Sequence, residues 1–333
     1  MRTILAAALA ALAAAPALAQ GCAEGERLFD HALLQGGPQC IPAEPERIAF
    51  LHTEAIPAFL LGAETVTING YFETFIDAYP GAVGDEWVER AVDIGYAYES
   101  DPELIARADP DLIVSTSYDD AVNAKFAAIA PMVVLDYADG GLDWRETNEF
   151  VAALLGREEA LARQFAALDA RVADIRDRLA ERDPSVAMVR ALDQGGRLQV
   201  ATQSMGSLQL LEDAGLRRHE ALLSVEEAAR LGNAFWYELS LERIEDLAAD
   251  FLVVLPGWDP EVEREVRASP FWGMIEPVAE GRVVTPLGDG QRWVRDNVAY
   301  AHLILDDVYR DVLGLDPAEV SPNPFADWLG GAD

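Results

Sequence analysis

The sequence predicts an α/β protein of two lobes with mainly parallel sheets, joined by one long helix. Three observations predict this class. The chain has 333 residues, and a single hydrophobic core stops growing at roughly 250–300 residues. Short apolar runs alternate with amphipathic segments, which is typical of strands and crossover helices. Between two such series lies a stretch with an apolar stripe at helical spacing and few turn residues.

Each series contains four predicted strands, and the first is followed by a helix that opens at Thr53 to Ala55 and stops at Gly62. The predicted strands are Arg47–His52, Thr65–Ile68, Leu112–Ser115 and Met132–Leu135, then Val186–Leu192, Leu198–Ala201, Phe251–Leu255 and Val283–Thr285. Helical segments between strands imply parallel pairing through crossover helices. Two Rossmann-like lobes are therefore expected.

The segment between the two series predicts a stiff connection. Its apolar residues recur at spacings of three and four: Leu161, Phe165, Leu168, Val172, Ile175 and Leu179. This stripe indicates a helix of about 25 residues, which ends at Asp183 because Pro184 disfavours helical backbone before it. We predict a first lobe over residues 46–142, the connecting helix within 143–183 and a second lobe over 184–333.

The N-terminus has the layout of a secretory signal peptide. Met1 and Arg2 precede the apolar run Ile4–Leu18, and Ala17 and Ala19 form an A-x-A cleavage site. A membrane anchor needs roughly 20 apolar residues. We predict a signal peptide over residues 1–19, cleavage after Ala19 and a periplasmic location.

The two cysteines lie beyond that cleavage site. An even count in an exported chain favours a disulfide between Cys22 and Cys40. The closed loop would contribute about 3 kcal/mol in the chain-entropy model and would pin the N-terminal segment 20–45. Lipidation of Cys22 is the alternative, although Gln20 makes a poor lipidation signal.

The charge balance excludes polyanionic partners. Lys and Arg number 25 against 58 Asp and Glu, which gives a formal net charge of −33. Binding to nucleic acid depends on neutralising phosphates with cations, so we predict no nucleic-acid partner and no anionic membrane surface. Disorder does not explain the charge, since 51% of the residues are hydrophobic.

Catalytic and metal-binding motifs are missing from the sequence. It contains no Gly-x-Ser-x-Gly elbow, P-loop or Gly-x-Gly-x-x-Gly fingerprint. The four histidines, His31, His52, His219 and His302, have no metal-ligand spacing. His52 ends the first strand, where α/β sheets place ligand sites. We predict neither an enzyme nor a metal site.

Aromatic residues gather after the predicted strands of both series. Loops at the carboxyl ends of parallel strands form ligand sites, and aromatic rings with a polar tip suit a large amphipathic ligand. Arg292 and Arg295 flank the last tryptophan and could meet an anionic or carbonyl-rich ligand. The predicted ligand-binding residues are Tyr71, Tyr96, Tyr98, Tyr118, Trp236, Tyr237, Trp258, Arg292 and Trp293.

An internal repeat links the two series. Glu103 lies eight residues before Asp111, which opens an apolar strand, and Glu242 lies eight residues before Asp250 in the same arrangement. Acidic residues in a first helical turn are stabilised by the macrodipole without any function. The repeat nevertheless predicts lobes of shared topology, each with one exposed carboxylate at an equivalent corner.

The order and spacing of several segments resemble a known family. They are 40–48, Val92–Gly95, Asp101–Ile105, Asp109–Ile113, Phe235–Trp236, Ser240–Ile244, Ser269–Gly273 and Glu280–Val283. The chain resembles the class III periplasmic substrate-binding proteins of ABC importers, in the iron-siderophore branch that includes ferric hydroxamate and cobalamin binders. The resemblance covers nearly the whole mature chain.

This resemblance implies a monomeric carrier that delivers an Fe(III)-siderophore to an ABC permease and has no covalently bound cofactor. Glu103 and Glu242 match the glutamates that dock onto permease arginines. Trp236 matches a ligand-stacking tryptophan, and Tyr96 falls near an aromatic contact of the first lobe. The first-lobe arginine of hydroxamate binders has no clear counterpart, although Arg90 is nearby.

Two alternatives remain open at the level of sequence. Within transport, the ligand could be haem or cobalamin, with His52 or a cleft tyrosine as an axial ligand. In another class, the chain could be an exported enzyme or adhesin on the same scaffold, but an enzyme would need a catalytic constellation that the sequence does not contain.

Overall fold

A computed structural model describes residues 21–326, except 53, 71, 74, 76–84, 97–98, 117–119, 137–142, 194–196, 258, 287–290 and 295–296. The predicted signal peptide lies outside the described residues. So do Tyr71, Tyr98, Tyr118 and Trp258 of the predicted site.

The described strands confirm the two predicted series and add short strands at the sheet edges. They are β1 Glu26–Phe29, β2 Gln39–Pro42, β3 Ile48–Phe50, β4 Thr67–Ile68, β5 Val92–Asp93, β6 Leu112–Ser115, β7 Met132–Val134, β8 Ser185–Asp193, β9 Arg197–Ala201, β10 Arg217–Arg218, β11 Trp236–Ser240, β12 Phe251–Leu255 and β13 Val283–Val284.

Helices alternate with these strands, as an α/β fold requires. The α-helices are α1 Ala55–Leu60, α2 Asp85–Arg90, α3 Pro102–Arg107, α4 Asp120–Ala127, α5 Trp144–Leu155, α6 Glu158–Leu179, α7 Gly206–Asp213, α8 Val225–Arg230, α9 Pro260–Ala268, α10 Glu276–Ala279, α11 Val298–Val308 and α12 Pro317–Val320. Short 3₁₀ helices span Leu241–Leu247, Trp272–Met274 and Gln291–Val294, and a π-helical turn spans Tyr309–Leu313.

The first lobe contains a parallel sheet. Strands β3, β6 and β7 pair in that order, and β4 pairs with β5. A parallel bridge between Ile48 and Thr65 joins the two groups. Because all these pairings are parallel, the strands share one carboxyl edge, where folds of this class bind ligands.

The second lobe has a mixed sheet in the order β11-β9-β8-β12-β13, and β10 also pairs with β8. The pairs of β8 with β10 and β12, and of β12 with β13, are parallel as predicted. Strand β9 instead runs antiparallel to β8 and β11. Only three residues separate β8 from β9 in sequence, too few for the crossover that parallel pairing needs.

The connecting segment holds two helices rather than one. Helix α5 ends at Gly156, which adopts the left-handed conformation with φ 63° and ψ 39°. Helix α6 then runs for 22 residues and contains the predicted apolar stripe. A glycine in this conformation is a common helix terminator, so Gly156 divides the segment that the sequence presented as a single helical stretch.

Helix α6 packs against elements of both series. It contacts α5, α7 and α11. The buried stripe residues Leu161, Leu168, Val172, Ile175 and Leu179 belong to one hydrophobic cluster that includes both sheets. This shared core supports the prediction of a stiff connection, since close-packed interiors do not deform freely.

The predicted disulfide, Cys22–Cys40, closes a loop within the N-terminal segment. Its hairpin β1–β2 lies against α5, where Arg27 Nη2 donates to the Leu154 carbonyl at 2.5 Å. Leu34 bridges to Leu135 beyond β7. The disulfide uses the Cys22 thiol that lipidation would need, so the predicted bond is confirmed over that alternative.

No helix within the described ranges combines the length and apolar character needed to cross a bilayer.

Candidate ligand-binding site

The second-lobe sheet places a cation where one of its central strands ends. Arg190 of β8 is the register partner of Leu255, the last residue of the parallel strand β12. Its side chain shares a sheet face with Gln199, its partner on the antiparallel strand β9. Arg190 Nε donates to Gln199 Oε1 at 2.6 Å, which fixes the direction of the guanidinium.

Trp236 lies beneath this guanidinium. The Arg190 Cζ atom sits 4.2 Å from the centroid of the indole ring, a separation at which a cation and an aromatic face attract. Burial lowers the pKa of Arg190 to about 10, because desolvation disfavours the charged form. The guanidinium therefore remains charged at neutral pH although it is partly shielded from water.

Trp236 and Tyr237 cannot contact one ligand from the same face of the sheet. Successive residues of a strand point to opposite sides, and the two belong to different hydrophobic clusters. The Tyr237 hydroxyl accepts a hydrogen bond from the Leu223 N–H at 3.4 Å. Of this predicted pair, the structure brings only Trp236 to the face that Arg190 occupies.

The structure places Arg292 and Trp293 in a buried polar network. The indole N–H of Trp293 donates to Asp307 Oδ2 at 3.0 Å, and Arg292 Nη2 donates to the same oxygen at 2.9 Å. Trp293 and Asp307 are both fully buried. Burial raises the pKa of Asp307, and the charge of Arg292 opposes that rise. These two predicted ligand residues connect the Gln291–Val294 turn to α11.

In the first lobe, Tyr96 is the described member of the predicted aromatic set. It follows β5 and is 56% exposed. Gly95 before it has φ 80°, and its N–H donates to Asp93 Oδ1 at 2.8 Å. This tight turn presents Tyr96 beyond the carboxyl end of β5. Arg90 lies instead at the end of α2, paired with Glu64 at 3.2 Å.

A histidine and a buried carboxyl group follow β3. His52 Nδ1 lies 3.9 Å from Glu54 Oε1, and the Glu54 side chain is fully buried. Its carboxyl oxygens accept no hydrogen bond from another described residue. Burial raises the pKa of Glu54 to about 7, although its own backbone N–H opposes the shift. The His52–Glu54 pair thus lies at the carboxyl edge of the first sheet.

The aspartate of the internal repeat has the same structural role in both lobes. Asp111 accepts hydrogen bonds from the N–H groups of Glu46 and Arg47, which lead into β3. Asp250 accepts bonds from the N–H and hydroxyl groups of Ser185, at the start of β8, and these bonds lower its pKa. In each lobe the aspartate ties two parallel neighbouring strands together at their amino ends.

Glu103 and Glu242 consequently occupy equivalent corners. The backbone N–H of each glutamate donates to the side chain two residues before it. Glu103 donates to Asp101 at 2.8 Å, and Glu242 donates to Ser240 at 3.2 Å. Both glutamates are exposed, and neither forms an ion pair with another described residue. The structure leaves the two carboxylates accessible to a partner.

The described residues offer no metal centre, since no three His, Cys, Asp or Glu side chains among them lie close enough to hold an ion. Two cavities of about 500 and 420 Å³ open near the amino ends of the first-lobe strands. Charged side chains such as Glu46 and Glu64 line both of them. They lie at the opposite end of that sheet from His52 and Tyr96.

Solved structures with the same fold include several siderophore-binding proteins. Staphylococcus aureus SirA complexed with staphyloferrin B shares 21% identity at a TM-score of 0.66, covering 86% of this chain and 98% of that one. The FhuD protein from S. pseudintermedius shares 20% identity at 0.66, covering 87% and 99%. Bacillus subtilis FeuA complexed with ferri-bacillibactin shares 16% at 0.63, covering 87% and 99%.

No curated protein matches the sequence. The sequence profile of the family described as periplasmic binding proteins matches residues 73–286. This range takes in β5 to β13, and with them Tyr96, Arg190, Trp236 and both repeat glutamates. A family of binding proteins agrees with the prediction that the chain is not an enzyme. Since the match extends over more than half of its length, the chain belongs to the periplasmic binding protein family.

Proposed function

We propose that the chain is an exported binding protein that captures a ferric siderophore between its two lobes and delivers it to an ABC permease. Residues 1–19 direct export in this proposal, and residues 46–142 and 184–333 form the lobes. The observation that carries the proposal is the Arg190–Trp236 pair at the end of the β8–β12 sheet. The structural neighbours that bind siderophores support the class of ligand.

The chemistry of this pair suits a ferric chelate. Iron in such a chelate is surrounded by oxygen donors with partial negative charge, which a half-buried guanidinium can contact. The indole of Trp236, whose face lies against the guanidinium, holds that cation in position. Sequence reasoning did not select Arg190. Its signal was a charged residue that interrupts the apolar run of Val186–Leu192.

Delivery requires a surface that the permease can recognise, and Glu103 and Glu242 supply it in this proposal. Two carboxylates at equivalent corners of two lobes can meet two arginines of a permease. The stiff α6 keeps their separation within narrow limits. A carrier of this kind needs no catalytic residue.

The proposal is tested by titrating the purified mature protein with ferric chelates and following tryptophan fluorescence. The probes are ferric hydroxamate, ferric catecholate and ferric citrate, with haem and cobalamin as competing ligand classes. We expect saturable quenching by at least one ferric chelate and its loss in Trp236→Phe. Quenching by haem or cobalamin alone would replace the proposed ligand, and no quenching by any probe would refute the binding function.

A matched control separates ligand contact from general damage to the sheet. Trp272 also has an arginine over its ring, with Arg267 Cζ 5.4 Å from the centroid, but it packs in the cluster on the other face of the second-lobe sheet. Trp272→Phe removes the same amount of indole surface. We expect it to keep the affinity for the ferric chelate that Trp236→Phe loses.

A further inference from the structure

A row of polar side chains crosses three neighbouring strands of the second-lobe sheet at the level of Arg190. Gln199 of β9 is the register partner of Arg190 on β8 and of Glu238 on β11. Residues directly opposite each other in a sheet point to the same face. Gln199 therefore stands between Arg190 and Glu238, on the face that also carries Trp236.

The same face carries a second arginine. Arg197 lies two residues before Gln199 on β9 and so points to the same side of the sheet. It forms an ion pair with Glu238, and both side chains are about half exposed. The carboxylate of Glu238 is thus directed toward Arg197, while the Nε atom of Arg190 is bound to the neutral Gln199.

Gln199 determines which acceptor this Nε atom meets. Neighbouring strands lie about 4.8 Å apart, so Arg190 and Glu238, two strands apart, are separated by about 10 Å at the backbone. Both have long side chains that could meet across a smaller residue. Gln199 Oε1 instead accepts from Arg190 Nε at 2.6 Å. The guanidinium is thereby held over Trp236, with its Cζ atom 4.2 Å from the ring centroid.

The charge of the acceptor matters as much as its position. A glutamine side chain offers a carbonyl oxygen without charge, whereas a carboxylate would form an ion pair with the guanidinium. Such an ion pair would reduce the attraction that Arg190 exerts on the oxygen donors of a ligand. A neutral acceptor orients the cation and adds no opposing charge.

We infer that Gln199 is a positioning residue of the candidate site, which directs the guanidinium of Arg190 over Trp236 and adds no opposing charge beside it. The contribution of Gln199 to binding then passes through Arg190. This inference rests on the proposed function, in which Arg190 meets the ligand. It also makes a claim about the ligand-free protein, because the guanidinium is oriented before a ligand arrives.

The ligand-free claim is tested by tryptophan emission spectra. Trp236 is one of seven tryptophans, so its contribution is taken as the difference between each protein and the same protein with Trp236→Phe. A cation against the ring face interacts with its electrons, and the difference spectrum therefore reports where the guanidinium lies. In Gln199→Met the acceptor is lost, and we expect a Trp236 contribution like that of Arg190→Met. In Gln199→Glu the acceptor remains, and we expect the wild-type contribution.

The ligand-bound claim is tested by a double-mutant cycle with Arg190→Met. The probes are ferric hydroxamate, ferric catecholate and ferric citrate complexes, and each one that binds the wild type is used with every variant. Gln199→Met should weaken affinity about 3- to 10-fold, the usual worth of one hydrogen bond. With Arg190→Met already present, it should cause no further loss. A merely structural role of Gln199 would cost the same in both backgrounds.

Two further variants separate direction from charge and from general damage. Gln199→Glu should bind at least as weakly as Gln199→Met, because its carboxylate opposes the charge of Arg190 even though the guanidinium keeps its direction. Gln203→Met removes the same amide from a glutamine that donates to Glu212 at 2.8 Å. Gln203 follows the end of β9, toward the amino end of β8, and we expect this control to keep wild-type affinity.

The outcomes distinguish this inference from the proposed function. Wild-type affinity in Gln199→Met or Gln199→Glu, or an equal loss from Gln199→Met with and without Arg190→Met, would overturn the inference and leave ligand binding intact. A wild-type Trp236 contribution in Gln199→Met would overturn it as well. If no ferric chelate binds, the proposed function is refuted, and the difference spectra still decide whether Gln199 positions Arg190.

Discussion

At the scale of single residues, two buried carboxyl groups show how differently the fold treats charge. Asp307 accepts hydrogen bonds from Arg292 and Trp293 and forms an ion pair with Arg310 at 2.9 Å. Among the described residues, the charged or titratable partner of Glu54 is the imidazole of His52, at 3.9 Å. Buried charges are normally paired, so Asp307 has a structural explanation and Glu54 is the group whose ionisation the fold opposes.

Replacing Glu54 by glutamine should change how stability depends on pH. The folded protein keeps the Glu54 proton up to about pH 7, whereas the unfolded chain loses it near 4.5. This group therefore lowers the free energy of unfolding as pH rises from 4.5 to 7, and the loss stays constant above that. We expect Glu54→Gln to be more stable than wild type at pH 8, by up to about 3 kcal/mol, and equally stable near pH 4.5.

Urea denaturation at several pH values measures this difference. Glu89→Gln, a change at an exposed glutamate of α2, is the control and should shift stability little at any pH. A constant offset between Glu54→Gln and wild type from pH 4.5 to 8 would contradict the prediction. It would mean that the change acts through packing rather than ionisation.

Arg190→Met should weaken ligand binding without weakening the fold. Methionine retains much of the aliphatic length but loses the charge, the stacking on Trp236 and the bond to Gln199. Contacts of a charged donor are worth about 10- to 100-fold in affinity, and we expect a loss in that range for a ferric chelate. Thermal denaturation should show little change, because removing Arg190 also removes the cost of desolvating it.

Arg197→Met is the matched control for this change. Arg197 lies on the adjacent strand β9 and pairs with Glu238, and both side chains are about half exposed. An exposed pair of this kind contributes little, so affinity should be retained. Equal losses in the two variants would show that the chelate responds to the general charge of the sheet and not to Arg190.

At the scale of elements, the apolar pattern of the sequence was sufficient to predict the bounds of strands that are fully buried. The apolar runs at β6 and β12 were predicted at their observed bounds, Leu112–Ser115 and Phe251–Leu255, because buried parallel strands are continuous hydrophobic segments. The direction of β9 was not predictable from its own residues. It depends on the length of the connection to β8, which is too short for a crossover.

The break between α5 and α6 depends on one glycine. Gly156 has φ 63°, and a Cβ built on it would meet no atom within 4 Å. Gly156→Ala should therefore lower the free energy of unfolding by about 1 kcal/mol through backbone conformation alone. Gly273→Ala is the control, since its site is equally open and its φ is not in the left-handed region.

Urea denaturation of both variants checks this prediction. We expect Gly273→Ala to match or slightly exceed wild type in stability, because alanine restricts the unfolded chain. A Gly156→Ala variant as stable as wild type would contradict the proposed role of Gly156. It would indicate that α5 and α6 can merge into the single helix that the sequence suggested.

At the scale of the whole molecule, the sequence predicted the architecture better than the site. Two lobes and a connecting helix follow from periodicity, which is a local property of many residues together. The ligand residues depend on which way individual side chains point. Trp293 lies near a predicted loop but is fully buried against Asp307, and Arg190 lies inside a strand that appeared to be pure core. A prediction based on aromatic residues therefore included Trp293, which is buried, and missed Arg190.

The net charge of −33 also gains a more specific meaning at this scale. Most acidic residues are exposed, and their effect on a ligand falls off within about 10 Å at ordinary salt. Acids near the carboxyl edges of the sheets are the ones close enough to act on a ligand there, and among the described residues Glu103 and Glu242 stand exposed at equivalent corners of the two lobes. In the proposed function, recognition of a partner therefore falls to a few of these acids.

Removing both corner carboxylates should separate ligand capture from delivery. The double variant Glu103→Ala with Glu242→Ala leaves Arg190 and Trp236 untouched, so affinity for a ferric chelate should stay at the wild-type value. Uptake through the reconstituted permease should fall at least tenfold, since each lobe loses its anchoring charge. The control pair Glu89→Ala with Glu245→Ala removes the same charge from exposed residues of α2 and of the Leu241–Leu247 helix. Equal uptake by the two double variants would show that Glu103 and Glu242 serve only as helix-terminal charge.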